Sequence, residues 1–172
     1  GLDLAGVALV FGLANLAFGL ADLLVGHLDR IPHYVRTGTL DALLLRPLPV
    51  LPQLVTEDVQ LRRVGRASMA LVVLVVALLA NPIELTPAAV GLVVMTAVSG
   101  TAIFCALWVA AAGLQFWLLD AGELVNSFTY GSGYAASYPP SIFTTPLRVL
   151  FTFVIPAAFI AYLPALLILD LP

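Results

Sequence analysis

The sequence predicts an all-α fold: a polytopic bundle of transmembrane helices with short interfacial or cytoplasmic helices beside it. Of the 172 residues, 62 % are hydrophobic and only 10 % are charged, and the mean hydropathy is +1.08. Soluble domains are about half apolar and about one quarter charged, so this composition excludes an ordinary soluble globule. The apolar residues form runs long enough to cross a bilayer, and the seven basic residues are all arginines that cluster between these runs.

Four segments are predicted to cross the membrane. A helix rises about 1.5 Å per residue, so about 20 apolar residues cover a hydrocarbon core of ~30 Å. The predicted spans are 4–25, 64–83, 87–112 and 147–169. The charge-free run that contains the third span favours one long or tilted helix whose last turns follow the interface. The alternative is two spans with a turn at Ser99-Gly100. The last span should kink or break at Pro156 and Pro164.

The arginines predict the orientation of the chain. The loop 26–63, together with Arg66 beyond it, holds six of the seven arginines, and Arg148 follows close behind the segment 113–146. With four spans, these regions lie on one side of the membrane, which the positive-inside rule makes the cytoplasm. We therefore expect the loop 26–63 to be cytoplasmic and the segment 113–146 to be cytoplasmic or interfacial. Arg66 should extend to the interface.

One face of the first span carries small and polar residues. They recur at intervals of three and four, which places them on one stripe of a helix. The stripe consists of Gly12, Asn15, Gly19, Asp22 and Gly26. Glycines allow a second helix to approach closely, and an asparagine within the membrane needs a partner. The stripe predicts helix packing within the bundle, and a dimer seam or the wall of a substrate path are the alternatives.

A short leucine-rich helix is predicted in the cytoplasmic loop, between Gly38 and Pro47. Thr39 can cap this helix, and Asp41 lies in its first turn, where a carboxylate favours the positive helix end. Two interpretations stand: its leucines lie among lipid headgroups, or the helix docks onto a cytoplasmic partner. A more polar stretch, 53–66, is also predicted to be helical, because acidic residues precede arginines at helical spacing.

The segment 113–146 combines acidic and aromatic residues. Tyr130, Tyr134 and Tyr138 are amphipathic side chains that favour the membrane interface, so we expect them to anchor the chain there. As an alternative role for the segment, Asp120 and Glu123 can pair with cytoplasmic arginines.

Chemistry-bearing motifs point away from catalysis. A Walker A phosphate loop requires a lysine, and the sequence has none. His27 and His33 have no cysteine or paired acid at ligand spacing, and Asp29 is expected to form a solvated pair with His27. Cys105 is expected to be a small buried hydrophobe. We therefore predict no catalytic residue, cofactor or metal on this chain, and the acidic charge balance argues against nucleic acid as a partner.

Several motifs together resemble a known family of bacterial membrane proteins. Gly38-Thr39-Leu40-Asp41 and Leu44-Leu45-Arg46-Pro47-Leu48 are similar to the cytoplasmic loop of permease subunits of ATP-binding-cassette exporters of the type II kind. The resemblance is to the branch of roughly six-span permeases. It extends over the whole chain through further motifs in the same order: Gln60-Leu61-Arg62-Arg63 with Gly65, Phe116-Trp117, Glu123-Leu124-Val125-Asn126, Phe128-Thr129-Tyr130-Gly131, Tyr138-Pro139 before Ile142, Pro156, Phe159, Tyr162 and Pro164.

The resemblance implies a non-catalytic subunit of an ATP-driven transporter. Such permeases work as homodimers or with a paralogous permease, and they bind two ATPase subunits that carry ATP and magnesium. The loop 35–48 would contain the coupling helix, with coupling assigned to Arg36, Gly38, Asp41, Leu44, Arg46 and Pro47. The chain would lack the family's first and last spans.

The expected location is the bacterial inner membrane, among membrane lipids, as a multi-pass protein. Two other functions are compatible with the residues: a structural or assembly membrane protein without transport activity, and a small membrane enzyme.

Overall fold

The computed structural model describes residues 3–56, 60–83, 86–117, 122–138, 142–151 and 157–169. Throughout these ranges the regular structure is helical and no strand occurs, which confirms the all-α class. In chain order the helices are α1 (Leu4–Val25), α2 (Ile31–Arg36), α3 (Thr39–Leu44), α4 (Val50–Thr56), α5 (Leu61–Ala80), α6 (Pro87–Trp117), α7 (Gly122–Ala136), α8 (Thr145–Val149) and α9 (Leu163–Ile168). A 3-10 turn, Gly26–Arg30, joins α1 to α2, and a π-helical turn, Ala158–Tyr162, precedes α9.

Helix α1 lies at the centre of the bundle. Its first turn is capped by Asp3, whose Oδ1 accepts a hydrogen bond of 2.8 Å from the Gly6 N–H. With the 3-10 turn and α2 it forms a helical stretch of 33 residues, and 61 % of its apolar window is buried, against 17 % for α6. It contacts α5, α6, α7, α9 and the π-helical turn. The other helices therefore pack around α1 and leave much of their own apolar surface on the outside.

Three helical stretches in the described part are long and apolar enough to cross a membrane: Leu4–Arg36, Leu61–Ala80 and Pro87–Gln115. Helix α6 is one uninterrupted helix of 31 residues, about 46 Å long, so no turn forms at Ser99-Gly100. This length exceeds a hydrocarbon core of ~30 Å, and α6 therefore tilts or extends beyond it.

The fourth predicted span stays a prediction. Residues 152–156, and with them Pro156, lie outside the described residues. The apolar helical segment beyond them, Ala158–Ile168, is shorter than a span requires. Pro164 stands in the first turn of α9, directly after the π-helical turn. A proline lacks the N–H that an interior helical position would donate, which accounts for the irregular turn before it.

The region 26–66 differs from prediction in two places. The cap position of α3 is Gly38 and not Thr39, and Gly38 has a φ of 71° that a residue with a Cβ adopts only at a cost. The stretch 53–66 is not one helix, because the backbone is extended at Gln60, between α4 and α5. The acidic residues Glu57 and Asp58 lie outside the described residues, so their predicted pairing with arginines stays a prediction.

The close contact between α1 and α5 predicts the effect of a single methyl group. A Cβ on Gly12 would lie 2.8 Å from the Cα of Leu74, a backbone atom that cannot move away by itself. We expect Gly12→Ala to destabilise the protein by about 1–3 kcal/mol, measured by thermal unfolding in detergent. Gly91 in α6 is the matched control, because its Cβ would meet nothing within 4 Å. Gly91→Ala should be neutral or slightly stabilising. Equal melting temperatures for the two variants would contradict the close approach.

Candidate functional site

A buried carboxylate joins α1 to α5. The Asp22 side chain is only 2 % exposed, and both its oxygens face arginines of α5. Arg66 Nη1 donates to Oδ2 at 2.8 Å, and Arg63 Nε lies 3.2 Å from Oδ1. Residues three apart lie on the same face of a helix, so one carboxylate reaches both guanidinium groups. The expectation that Arg66 extends to the interface stays a prediction, and in the structure its guanidinium binds Asp22.

His27 extends this cluster into the loop. It is 1 % exposed, and its Nδ1 lies 3.2 Å from Arg63 Nη1. The preceding residue is glycine for a steric reason: a Cβ on Gly26 would collide with Asp22 Oδ1 and lie 3.2 Å from the guanidinium carbon of Arg63. The expectation that His27 is solvated is wrong, because the histidine is buried against an arginine.

Asp29 binds two other helices. Its Oδ1 accepts a hydrogen bond of 2.8 Å from Trp108 Nε1 of α6, and its Oδ2 accepts one of 3.0 Å from the Tyr130 hydroxyl of α7. Burial, and after it the Asp29 carboxylate, raises the pKa of the Tyr130 phenol from 10.0 to about 12. The phenol is therefore protonated at physiological pH and remains a donor. Tyr130 thus holds the 3-10 turn against α7, rather than serving only as an interfacial anchor.

Aromatic rings fill the space between these two carboxylate clusters. Phe18 of α1 packs edge-on against Phe104 at 5.3 Å and lies 4.9 Å from Trp108, centroid to centroid. The Tyr130 ring lies 5.7 Å from Phe18, and the Arg66 guanidinium carbon lies 5.7 Å from the centroid of Phe18. The polar clusters and the aromatic rings therefore form one connected packing unit across α1, α5, α6 and α7.

The stripe on α1 faces α5 of the same chain. Cβ atoms on Gly12 and Gly19 would lie 2.8 and 3.1 Å from the Cα atoms of Leu74 and Ala67. Asn15 points elsewhere: its Nδ2 donates to the Phe11 carbonyl at 2.9 Å and lies 3.1 Å from Ser137 Oγ, next to α7. In the structure α5 packs against the glycines of the stripe, while Asn15 binds Ser137 next to α7.

The loop helices α3 and α4 have a buried and an exposed side. Leu40 and Leu43 are buried, and the Gln53 side chain of α4 donates 2.8 Å to the Leu48 carbonyl, which ties the turn after α3 to α4. Leu44 and Leu45 are 58 % and 88 % exposed. All the residues predicted for coupling are exposed: Arg36, Gly38, Asp41, Leu44, Arg46 and Pro47.

Other predicted residues contribute no described site. Asp120 and Pro139 lie outside the described residues, and the side chain of Glu123 is not among those described. Cys105 is partly buried in α6 and not fully buried as expected. Within the described ranges, no group of three or more His, Cys, Asp or Glu side chains is close enough to hold a metal ion.

Comparison with known proteins decides the family. A family model described as "ABC-2 family transporter protein" matches residues 1–172, the whole of this chain. The chain belongs to the ABC-2 transporter family. It is a membrane permease component of an ATP-binding-cassette transporter, which confirms the predicted family. No curated protein and no solved structure matches the chain.

The arginine partners of Asp22 in this ABC-2 permease were not predicted. The signal was available: a carboxylate within an apolar span needs a cation, and two arginines three residues apart stand at the start of the next helix. The partners of Asp29 had no such signal, since Trp108 and Tyr130 lie 79 and 101 residues away along the chain.

Removing the charge of Asp22 should destabilise the protein strongly. Asp22→Asn leaves Arg63, which is 4 % exposed, with a buried charge and no carboxylate, at a cost of about 3–5 kcal/mol. The double variant Asp22→Asn with Arg63→Gln should recover part of this loss, measured by thermal unfolding. Asp41→Asn removes an exposed carboxylate and serves as the control, with a change below about 0.5 kcal/mol. A double variant less stable than Asp22→Asn would refute the pairing.

The Tyr130 hydrogen bond predicts a loss of stability at alkaline pH. The folded state raises the pKa of the Tyr130 phenol to about 12. The stabilisation that the protonated phenol gives the folded protein is therefore complete below pH 10, and it is lost as the pH rises through 12. The chain contains no lysine, and arginine stays charged, so tyrosines are the main groups that titrate in this range, and a tyrosine is the appropriate control. Tyr130→Phe should show a smaller drop in melting temperature between pH 10 and 12 than Tyr138→Phe, in which an exposed tyrosine is changed. Equal pH profiles would contradict this role.

Proposed function

We propose that this permease couples ATP hydrolysis on a partner ATPase subunit to the export of a substrate across the bacterial inner membrane. The observation that carries the proposal is the exposed leucine surface of α3 and the turn after it, formed by Leu44, Leu45 and Leu48. Leucines with exposed fractions of 58 to 88 % on the arginine-bearing side are an apolar surface that a partner can bury.

The exposed leucine surface is connected to the spans by a short stretch of chain. Helix α3 follows α2 after only Thr37 and Gly38, and α2 continues from α1 within one helical stretch, Leu4–Arg36. Leu40 and Leu43 bury the inner side of α3, so a displacement of α3 acts on the packed helices beneath it. A displacement of these loop helices by an ATPase would therefore be transmitted to α1 at the centre of the bundle.

Two carboxylates distribute this movement to the other helices. Asp22 lies near the end of α1 and binds arginines of α5, while Asp29 lies in the 3-10 turn and binds α6 and α7. A tilt of α1 at the loop therefore acts on three further helices through charged hydrogen bonds, which are stronger than neutral ones. This arrangement supports alternating access driven from the cytoplasmic side.

A complete transporter of this kind needs a second permease, either another copy of this chain or a paralogue. Much of the apolar surface of α5 and α6 is exposed, including Val72, Val76, Val94 and Val98. Membrane lipid and the second permease would cover this surface.

Truncating its leucines tests whether the exposed leucine surface binds the ATPase. The double variant Leu44→Ala with Leu45→Ala should weaken binding of the ATPase about ten-fold or more, because buried leucines at the centre of an interface carry much of its binding energy. The full-length tagged protein is purified from native membranes, and mass spectrometry gives the ratio of P-loop ATPase to permease. Turnover of ATP in the recovered complex measures coupling.

Leu61→Ala is the matched control, since Leu61 is 86 % exposed but lies at the start of α5. It should keep the ATPase at the wild-type ratio.

Charge reversal at Arg46 should uncouple ATP hydrolysis from transport and leave the melting temperature unchanged, because Arg46 is exposed. Full coupling in both α3 variants would refute the proposal, and a wild-type protein that retains no ATPase would favour a structural role instead.

A further inference from the structure

A cavity opens between α1, α5 and α7. Its volume is about 120 Å³, and it is lined by Asn15, Phe18, Arg66, Tyr130, Gly133 and Tyr134. Since liquid water occupies about 30 Å³ per molecule, the cavity has room for about four waters or one compact polar group. Tyr134 is 72 % exposed, so the cavity reaches the surface of the protein. Its rim thus allows a group to enter from outside the bundle.

The wall of the cavity carries positive charge. Arg66 is the one charged residue among the side chains that line it. Its guanidinium shares the Asp22 carboxylate with Arg63, so two positive charges face one negative charge. The Asp29 carboxylate is not part of the lining, and it accepts hydrogen bonds from Trp108 and Tyr130. Among the lining side chains an anion would therefore meet one charge, that of Arg66, while the Asp22 and Asp29 carboxylates lie behind the lining, bonded to Arg66 and Tyr130.

The position of Arg66 near the start of α5 favours a cavity at the depth of the lipid headgroups. Arg66 stands in the second turn of α5, on the side where the arginines are concentrated and which the positive-inside rule makes cytoplasmic. Two tyrosines line the cavity, and amphipathic aromatic side chains are typical of the headgroup region. Basic pockets between helices on the cytoplasmic side recognise anionic headgroups.

We propose that this cavity binds the phosphate of an anionic phospholipid of the cytoplasmic leaflet. Arg66 supplies a charged donor, and the hydroxyl of Tyr134 supplies a second donor at the rim. Because Arg66 also holds Asp22, a bound headgroup contacts the ion pair that joins α1 to α5. The site is separate from the ATPase surface of α3 and goes beyond the coupling function.

Lipid binding to the full-length protein tests this site. The delipidated protein in detergent is titrated with phosphatidylglycerol and with phosphatidylcholine of the same acyl chains, and native mass spectrometry gives the dissociation constants. Phosphatidylglycerol should bind more tightly, and Arg66→Gln should weaken it about ten-fold. Arg62→Gln is the matched control, because Arg62 lies on the same helix, is exposed and does not line the cavity. Its effect should stay below about two-fold.

A second variant keeps the experiment decisive if Arg66→Gln fails to fold. Tyr134→Phe removes only an exposed hydroxyl and leaves the Asp22 ion pair intact, and it should weaken phosphatidylglycerol by about three-fold or more. Equal affinity for the two lipids overturns the proposal, as do equal effects of Arg62→Gln and Arg66→Gln. So does an unchanged affinity in Tyr134→Phe.

Inorganic phosphate distinguishes the source of the anion. If millimolar phosphate raises the melting temperature in an Arg66-dependent way while phosphatidylglycerol does not bind, the site takes free phosphate and the lipid assignment is wrong. None of these measurements requires ATP or the ATPase, so their failure is distinguishable from a failure of the coupling proposal.

Discussion

A carboxylate within an apolar helix bundle must be paired, and the pairing of Asp22 constrains much of this structure. An isolated charge in a medium of low dielectric is costly, so Asp22 is stable only where α5 brings Arg63 and Arg66 to it. That contact sets the rotation of α5 about its axis and its register along α1. The same register brings Gly12 and Gly19 against Leu74 and Ala67, where backbones approach closely because one partner has no side chain.

The second carboxylate gives α1 its connections to the rest of the bundle. Asp29 lies seven residues after Asp22 and binds α6 and α7 instead of α5, so two turns of one helical stretch reach three neighbours. Phe18 lies between the clusters and packs against rings of both α6 and α7. Dispersion and charge therefore act on the same helices, which makes the loop end of the bundle one connected packing unit.

This unit also explains why the loop helices can be short. Helix α3 has six residues, too few to be stable alone in water. It is held because Leu40 and Leu43 are buried, and because the Gln53 side chain binds the turn that follows it. Contacts with neighbouring helices, and not its own length, thus hold this short helix so that Leu44 and Leu45 stay exposed. In an ABC-2 permease, such a surface close to the ends of the spans suits contact with a partner subunit.

The sequence by itself determined the all-α class, the membrane environment, the exposed leucine helix and the family. These follow from composition, run length and local motifs, which depend on residues close together in the chain. It also placed Asp22 within an apolar span, where a carboxylate is costly without a partner. Only the tertiary structure decided which partner, because Arg63 and Arg66 lie more than 40 residues away and other arginines were available. The contact of Asp29 with Trp108 and Tyr130 likewise depends on how α6 and α7 pack against α1, and no local pattern encodes that arrangement.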